Sequence, residues 1–335
     1  MVVATQFRGS EPGHVVQTTF NLPDIKPDEV LVKVTHSGLC GSDIHMLQKP
    51  LVLGHEGIGI VERTGPSCSR LSVGDRVGWG PLNSTCAECA MCTSGKDAYC
   101  PDAKGYGFAF FDTMGSVCSH AVRKEQWLFK IPDAISSTDA APLMCGGGTV
   151  WVPLVDQCKP YSRIGIVGLG GLGHLAIQFA AKMGCDVVVF SSTDDKREEA
   201  LALGASEFYA TKGVSDYADL GLAKPVDRLI ITSSAKFNLG IFYPVLARNA
   251  VILPLSVDGG DLTAPYMPTV MLGHSIVGSC VSSRLPQNQM LDFAARHGIS
   301  CIVEKYPMTL EGVRDAVARL KDGKMRYRAV LAWDH

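Results

Sequence analysis

The first part of the chain alternates apolar and polar residues in short runs, a pattern typical of half-buried β-strands. Turn-forming segments such as Ser10-Glu-Pro-Gly13 and the pair Pro23-Asp24 separate these runs, so the sequence predicts a β-rich unit. The predicted strands are Val2–Phe7, Val15–Phe20, Val30–His36 and Gly57–Arg63.

From about residue 148 the pattern changes to strands that alternate with helical stretches, for example Lys196–Leu203 and Leu239–Leu246. The predicted strands are Ile164–Val167, Asp186–Phe190, Glu207–Ala210, Val226–Thr232, Ala250–Ser256 and Ser275–Val281. Six strands with five connections predict an α/β fold with a doubly wound parallel sheet. The last part returns to helix and strand and ends in Arg326–Ala332. We therefore expect a discontinuous first domain, 1–147 and 285–335, and a second domain over 148–284.

A glycine motif, Gly168-x-Gly170-x-x-Gly173, follows the first strand of the second domain directly. A helical pattern comes next, with Leu172, Leu175, Ala176, Phe179 and Ala180 on one face. In this context the glycines allow a tight turn, close approach of a pyrophosphate, and close helix–strand packing. An ordinary glycine-rich turn is the alternative. The motif predicts a dinucleotide site formed by Gly168, Leu169, Gly170, Gly171, Leu172 and Gly173.

Clustered cysteines indicate a first metal site. The spacing Cys86-x2-Cys89-x2-Cys92-x7-Cys100 offers four thiolates within one loop. Four sulfurs at such spacing suit a closed, tetrahedral structural zinc site. Four unrelated loop cysteines would be the alternative, which the regular spacing disfavours.

A second set of ligand types is dispersed along the chain: Cys40, His55 and Cys145. Two thiolates and one imidazole would leave a fourth zinc position open, as catalytic sites do. Taken singly, Cys145 is equally compatible with a small buried residue and His55 with a turn residue. Asp43 is placed to accept the other N–H of His55. Glu56 is either a nearby charge or a direct ligand, and the sequence leaves both interpretations open.

Composition narrows the choice of partners. The 335 residues are enough for two domains, and 46% of them are hydrophobic. A net charge of −2 gives no reason to expect nucleic acid or an anionic membrane as a partner. No apolar run reaches the roughly 18 residues of a membrane span, and the start does not suggest a signal peptide. We expect a cytoplasmic protein, in which twelve cysteines favour metal ligation over disulfides.

Taken together, these motifs resemble the zinc-containing medium-chain alcohol dehydrogenases, and among them the cinnamyl alcohol dehydrogenase-like group. The resemblance covers nearly the whole chain. It is carried by Cys40-Gly-Ser-Asp-Ile-His45, Gly54-His-Glu56, the four-cysteine loop, Ala141–Val150, the glycine motif and Lys321-Asp-Gly-Lys-Met-Arg-Tyr-Arg328. It implies a GroES-like catalytic domain, a Rossmann domain and an active site in the cleft between them. It also implies two zinc ions per chain, NADPH, aldehydes and primary alcohols of cinnamyl type or of broad range as small-molecule substrates, and a homodimer paired near 270–285.

The resemblance assigns further roles. Zinc on Cys40, His55 and Cys145 would polarise the substrate oxygen, and the hydroxyl of Ser42 would pass a proton through the cofactor ribose to His45. The alternatives are a turn hydroxyl and a solvated histidine. Thr149 matches a position near the nicotinamide. Gly278–Ser282, which includes Ser279, resembles the segment that reaches the nicotinamide and the partner subunit.

Cofactor preference is indicated after the second strand of the nucleotide domain. An NAD site places an acidic residue there, whereas this chain has Phe190-Ser-Ser-Thr193. Ser191, Ser192 and Lys196 suit a 2′-phosphate and favour NADP. The nearby Asp194 and Asp195 oppose this interpretation, and Lys196 is also compatible with a solvated helix residue.

Two segments depart from the family pattern. The connection Met46–Leu53 is several residues shorter than usual, and the aromatic segment Gly105–Phe111 matches the pattern poorly. Gly105 stands about where plant relatives carry a large aromatic residue, so we expect a more open substrate pocket, and the aromatic side chains either line it or pack the domain. The shorter connection implies either a bulky substrate or an active site completed by the partner chain. Because one fold can carry different chemistries, the sequence leaves two other functions open. They are an NADPH-dependent C=C or C=N reductase and a non-catalytic NADPH-binding protein.

Overall fold

The computed structural model describes residues 2–107, 114–235, 238–257 and 260–333. The chain forms two compact units. The first comprises Met1–Gly148 and Val281–His335, and the second comprises Thr149–Cys280. The predicted segment Phe108–Phe111 lies outside the described residues.

The strands are β1 (Val2–Arg8), β2 (Val16–Leu22), β3 (Glu29–Leu39), β4 (Glu56–Thr64), β5 (Arg76–Trp79), β6 (Leu82–Ser84), β7 (Lys104–Gly105), β8 (His120–Lys124), β9 (Phe129–Lys130), β10 (Arg163–Val167), β11 (Asp186–Ser191), β12 (Glu207–Ala210), β13 (Val226–Ile231), β14 (Leu246–Pro254), β15 (Ser275–Ile276), β16 (Val303–Pro307) and β17 (Arg328–Ala332).

The α-helices are α1 (Gly41–Met46), α2 (Ala90–Thr93), α3 (Ser137–Pro142), α4 (Gly148–Gln157), α5 (Gly173–Lys182), α6 (Arg197–Ala202), α7 (Tyr266–Leu272), α8 (Arg284–His297) and α9 (Leu310–Lys321). Short 3₁₀ helices cover Asp97–Tyr99, Glu125–Trp127, Asp194–Lys196, Tyr217–Leu220 and Leu239–Val245, and a π-helical segment covers Leu143–Gly147.

Strand β3 is the centre of the first unit. It pairs antiparallel with β4, β8 and β17, and β17 in turn pairs parallel with β16. Its residues Val30, Val32 and Val34 are completely buried, as the alternating pattern predicts. Because β17 comes from the end of the chain, the C-terminal segment completes the sheet that begins near the N-terminus.

The second unit contains a parallel sheet with the strand order β12-β11-β10-β13-β14-β15. All five residues of β10 are buried, which agrees with the continuous apolar pattern expected when helices cover both faces of a parallel sheet. The predicted fold class, a β-rich unit joined to a doubly wound parallel sheet, is confirmed.

Some predicted elements differ from the structure. The helical stretch predicted at Leu239–Leu246 is a 3₁₀ helix that ends at Val245, and Leu246 already belongs to β14. Gly240 and Pro244 within it disfavour an α-helix. The strand predicted at Ser275–Val281 is limited to Ser275–Ile276. Its predicted end, Val281, has φ +42°, which is incompatible with a strand.

None of the helices in the described part of the chain is long and apolar enough to cross a membrane.

Glu304 on β16 connects this strand to α9 and to the backbone just before β17. It should therefore contribute pH-dependent stability to the first unit. Its carboxylate accepts hydrogen bonds from the guanidinium of Arg319, from the Arg326 N–H at 2.9 Å and from the Tyr306 hydroxyl at 2.9 Å. Mainly because of Arg319, the pKa of Glu304 falls from 4.5 to about 2.

A carboxylate with a lowered pKa stabilises the folded state above its unfolded pKa, and this contribution disappears as the pH falls toward the folded value. We therefore expect Glu304→Gln to lower the free energy of unfolding by roughly 1 kcal/mol at pH 7. The difference from the wild type should shrink between about pH 5 and pH 2. Urea unfolding of both proteins across this range measures it, with Glu11→Gln at an exposed turn as the control. A difference that grows as the pH falls would contradict this assignment.

Candidate active site

Asp43 organises the start of α1 and the turn that precedes β4. Its buried carboxylate accepts hydrogen bonds from the backbone N–H of Cys40, at 2.8 Å, and of Gly54, at 2.7 Å. The Tyr106 hydroxyl donates to the same carboxylate. Asp43 thus holds together two segments, and each of them carries a predicted ligand: Cys40 in the first and His55 in the second.

His55 is buried with both ring nitrogens directed at specific groups. Its Nδ1 lies 3.7 Å from Asp43 Oδ2, and its Nε2 lies 3.2 Å from Cys145 Sγ. Tyr106 stacks on the imidazole, with ring centroids 4.6 Å apart. The ring therefore presents Nε2 toward the predicted ligands, with Nδ1 on the side of Asp43.

Glu56 forms a buried ion pair with Arg328, the first residue of β17. Its Oε1 accepts a hydrogen bond from the Arg328 guanidinium, whereas its Oε2 has no hydrogen-bond partner among the described residues. Burial raises the pKa of Glu56 to about 7, although Arg328 acts in the opposite direction. One carboxylate oxygen is thus available to a further positive group.

The predicted catalytic ligands converge. One ligand atom each from Cys40, His55, Glu56 and Cys145 lies within 4.8 Å of the others. The Cys145 thiol donates a hydrogen bond that lowers the pKa of Cys40, and the pKa of Cys145 itself is raised well above its usual value. Buried thiolates are costly unless a cation compensates them. Two sulfurs, an imidazole and a carboxylate around one point form a donor set that fits zinc.

The four cysteines of the loop also converge, with their sulfur atoms within 4.8 Å of one another. Cys86 Sγ lies 3.5 Å from Cys100 Sγ, and Cys89 Sγ lies 3.6 Å from Cys92 Sγ. The loop is joined to α8, because buried Asp97 accepts hydrogen bonds from the Arg284 side chain at 3.0 and 3.1 Å. This donor set also fits zinc, here without an open position.

In the second unit, the glycine motif adopts the predicted strand–turn–helix arrangement. Gly168 has φ +94°, which favours glycine. A Cβ atom on Gly173, the first residue of α5, would lie 2.0 Å from the Gly168 carbonyl oxygen. A Cβ atom on Gly170 would meet nothing within 4 Å, so the turn is open at its centre. Leu169, Gly171 and Leu172 complete the turn.

The residues predicted to select the cofactor lie beside this turn. Ser191 is buried at the end of β11, and Ser192 is exposed. The Lys196 ammonium donates a hydrogen bond of 2.8 Å to the Leu169 carbonyl. Asp194, which opposed the NADP interpretation, forms an ion pair of 2.7 Å with Arg197. Its charge is therefore partly offset.

The remaining predicted residues occupy separate positions. Ser42 and His45 lie three residues apart on α1. Ser42 is half-buried, with its Oγ 3.8 Å from Cys40 Sγ, and His45 is exposed. Thr149 is half-buried in α4. Ser279 lies after β15, outside any strand, and is also half-buried.

Sequence reasoning did not assign roles to Arg328 and Tyr106. Arg328 opens an otherwise apolar strand, and a charge in such a position can signal a buried partner. Tyr106 belonged to the aromatic segment that was considered for the pocket. The structure instead places it against His55 and Asp43, contacts that no sequence spacing reveals.

The Glu56–Arg328 pair gives a direct test of this arrangement. Removing one member of a buried ion pair leaves the other unpaired, so Arg328→Met should lower the free energy of unfolding by about 3 kcal/mol. Because Glu56 can then take up a proton, the loss should be smaller at pH 6 than at pH 8. Adding Glu56→Gln should recover more than half of it.

Urea unfolding of the single and double variants measures this coupling. Lys324→Met, which breaks the exposed Lys324–Asp322 pair, is the control and should change little. A loss in Arg328→Met no larger than in this control would contradict the role of the pair.

Comparison with known proteins agrees with this geometry. Residues 26–133 match the family model described as an alcohol dehydrogenase GroES-like domain, and residues 171–296 match the zinc-binding dehydrogenase model. The chain is 34% identical to "Cinnamyl alcohol dehydrogenase 8" of Arabidopsis thaliana, over 90% of this chain and 87% of the relative. It is 31% identical to "NADP-dependent alcohol dehydrogenase C 1" of Mycolicibacterium smegmatis, over 95% of this chain and 94% of the relative.

A solved cinnamyl alcohol dehydrogenase of Sorghum bicolor superimposes with a TM-score of 0.91 at 30% identity, covering 99% of this chain and 98% of that one. These matches confirm the resemblance inferred from the motifs. The chain therefore belongs to the zinc-binding alcohol dehydrogenase family, together with proteins named cinnamyl alcohol dehydrogenases.

Proposed function

We propose that this member of the family is an NADPH-linked alcohol dehydrogenase that interconverts aldehydes and primary alcohols. The observation that carries the proposal is the convergence of half-buried Cys40 with buried His55 and Cys145. On this proposal residues 1–147 and 285–335 form the catalytic domain, and residues 148–284 bind NADP.

Two zinc ions per chain follow from the two donor sets. Cys86, Cys89, Cys92 and Cys100 would hold a structural ion with all four positions filled. Cys40, His55 and Cys145 would hold the catalytic ion, with Glu56 close by through its oxygen that does not pair with Arg328. At this position zinc supplies Lewis acidity that polarises a carbonyl and stabilises an alkoxide.

The chain's own residues would manage the proton. Ser42 lies beside the ligand Cys40, so its hydroxyl is placed to donate a hydrogen bond to a substrate oxygen. His45 follows one helical turn later and is exposed, so its imidazole can exchange a proton with water. On this proposal His45 receives the proton that leaves through Ser42.

The nucleotide would bind at the N-terminus of α5, where the turn of Gly168–Gly173 exposes backbone N–H groups to a pyrophosphate. NADPH supplies the hydride. Ser191, Ser192 and Lys196 would recognise the 2′-phosphate, with Thr149 and Ser279 nearer the nicotinamide. The ion pair of Asp194 with Arg197 supports this preference, because it reduces the negative charge beside the proposed phosphate site.

A homodimer is part of the same proposal. Strand β15 lies at the edge of its sheet, and both of its residues are exposed. Helix α7 beside it in the sequence exposes Tyr266, Met267, Val270 and Met271. An open strand edge and exposed apolar side chains favour pairing with a second copy.

Metal content tests the two zinc assignments. The purified protein should contain two zinc ions per chain, and Cys89→Ser should contain one, because three thiolates hold the structural ion poorly. The variant should also unfold at a lower temperature, since metal binding contributes directly to folding. Cys68→Ser, which lies outside both donor sets, should keep two ions. Two ions in Cys89→Ser would overturn the assignment of the loop.

Turnover tests the reaction. With cinnamaldehyde as the probe, NADPH should be oxidised rapidly and NADH slowly. Ser42→Ala should reduce kcat by about 10²–10³ because a positioned proton donor is lost, whereas Ser69→Ala at an exposed loop should not. A protein with two zinc ions that reduces no aldehyde with either cofactor would overturn the proposal. Activity on a C=C or C=N bond would then identify the reductase alternative.

Lys196 tests the cofactor preference. A charge-assisted contact to phosphate contributes about 1.5–3 kcal/mol, so Lys196→Met should lower kcat/KM for NADPH by about 10–100-fold and change that for NADH much less. Lys182→Met is the matched control, because Lys182 lies exposed at the opposite end of α5. Equal losses with both cofactors would show that Lys196 only supports the glycine turn.

A further inference from the structure

The predicted ligand Cys145 lies in an unusual backbone segment. Residues Leu143–Gly147 form a π-helix between α3 and α4. The N–H of Gly148 is directed at the carbonyls of Leu143 and Cys145, so one contact spans five residues instead of four. A π-turn adds one residue to a helical turn and therefore rotates the side chains that follow the insertion. The direction of the Cys145 thiol depends on this register.

One buried polar side chain from elsewhere in the first unit contacts the segment. Gln287 on α8 is 2% exposed, and its Nε2 donates a hydrogen bond of 3.2 Å to the Leu143 carbonyl. That carbonyl is the one that receives the five-residue contact from Gly148. A carbonyl oxygen has two lone pairs, so the two donors can share it.

The packing around Gln287 is close on the other side as well. A Cβ atom on Gly148 would lie 2.4 Å from Gln287 Oε1 and 2.6 Å from Ser282 Cβ. A Cβ atom on Gly147 would lie 3.1 Å from the sulfur of Met290, one helical turn after Gln287 on α8. The two glycines let the π-segment approach α8 closely, with the amide of Gln287 in the contact.

We infer that Gln287 is a positioning residue for the catalytic metal site: it holds the π-register of Leu143–Gly147 and thereby directs the Cys145 thiol toward His55 and Cys40. Without the amide of Gln287, the Leu143 carbonyl would keep its backbone contact with the Gly148 N–H and lose the side-chain hydrogen bond. The segment can then relax toward the ordinary α-helical spacing, in which the carbonyl pairs with Gly147. This inference rests on the proposed function, because it assumes a metal ion at Cys40, His55 and Cys145.

The test compares two variants of adjacent residues on α8. Gln287→Met keeps the length of the side chain and removes the donor. Asn288→Met removes the exposed hydrogen bond of Asn288 to the Arg284 carbonyl and serves as the matched control. Zinc release to a chelator and the thiolate-to-metal absorption of the cobalt(II)-substituted protein are measured for both. Neither measurement depends on an aldehyde or on NADPH.

Loss of a residue that orients a metal ligand typically weakens metal binding by about 10–100-fold. Gln287→Met should therefore release one of the two zinc ions at least about tenfold faster than the wild type, with an altered cobalt spectrum. Release from the four-cysteine loop should be unchanged. Release and spectra identical to those of Asn288→Met would overturn the inference.

A second variant keeps the test independent of how well Gln287→Met folds. Gly148→Ala places a methyl group against the Gln287 amide and should produce the same spectral change from the other side of the contact. A normal cobalt spectrum in folded Gly148→Ala would count against the inference. A wild-type protein with two metal ions but no aldehyde reduction would overturn the proposed function alone, whereas a single ion per chain would overturn both.

Discussion

The first unit depends on the burial of several ionisable groups around one point. His55, Glu56 and Cys145 are buried and Cys40 is half-buried, with their ligand atoms within 4.8 Å of one another, and three of these four side chains are acids. When neighbouring acidic side chains ionise away from water, they repel one another and lose their hydration. Both effects are unfavourable unless a positive charge lies close to them. Arg328 compensates the charge of Glu56 through their buried ion pair. The thiols of Cys40 and Cys145 instead form a hydrogen bond with each other, and a bound metal ion would replace this bond. The acidic side chains at this point of the first unit therefore favour a bound cation.

The sheet explains how these groups meet. Their sequence positions span nearly 290 residues, from Cys40 to Arg328. Strand β3 ends one residue before Cys40, β4 begins with Glu56, and β17 begins with Arg328. Because β3 pairs with both β4 and β17, the ends of these strands lie side by side. The ion pair of Glu56 with Arg328 therefore follows from strand register, and the C-terminal strand β17 contributes a charged residue beside the predicted ligands.

How much the sequence predicted depends on how local each signal is. The four-cysteine loop and the glycine turn lie within single short segments, and both adopt arrangements that their spacing predicts. The dispersed group of Cys40, His55 and Cys145 was proposed from its ligand types and supported by the family resemblance, because nothing in the spacing brings residue 145 to residue 40. Arg328 and Tyr106 were missed since their roles arise from tertiary contacts. The π-helix at Cys145 was equally invisible, because Leu-Met-Cys-Gly-Gly carries no signal that distinguishes five-residue from four-residue spacing.

The two proposed metal sites differ in what holds their ligands in position. This difference explains why surrounding residues orient the ligands at the second site and are not required at the loop. In the loop, all four thiols come from fifteen consecutive residues, so a bound ion itself fixes the local chain and little else is required. At the second site the ligands are held by groups outside their own segments: Asp43 contacts both Cys40 and His55, Tyr106 stacks on His55, and the π-segment packed against α8 carries Cys145. Because a catalytic ion must keep a position open, it cannot draw a full set of ligands around itself. The protein fold then has to supply the geometry that the missing ligand would otherwise impose.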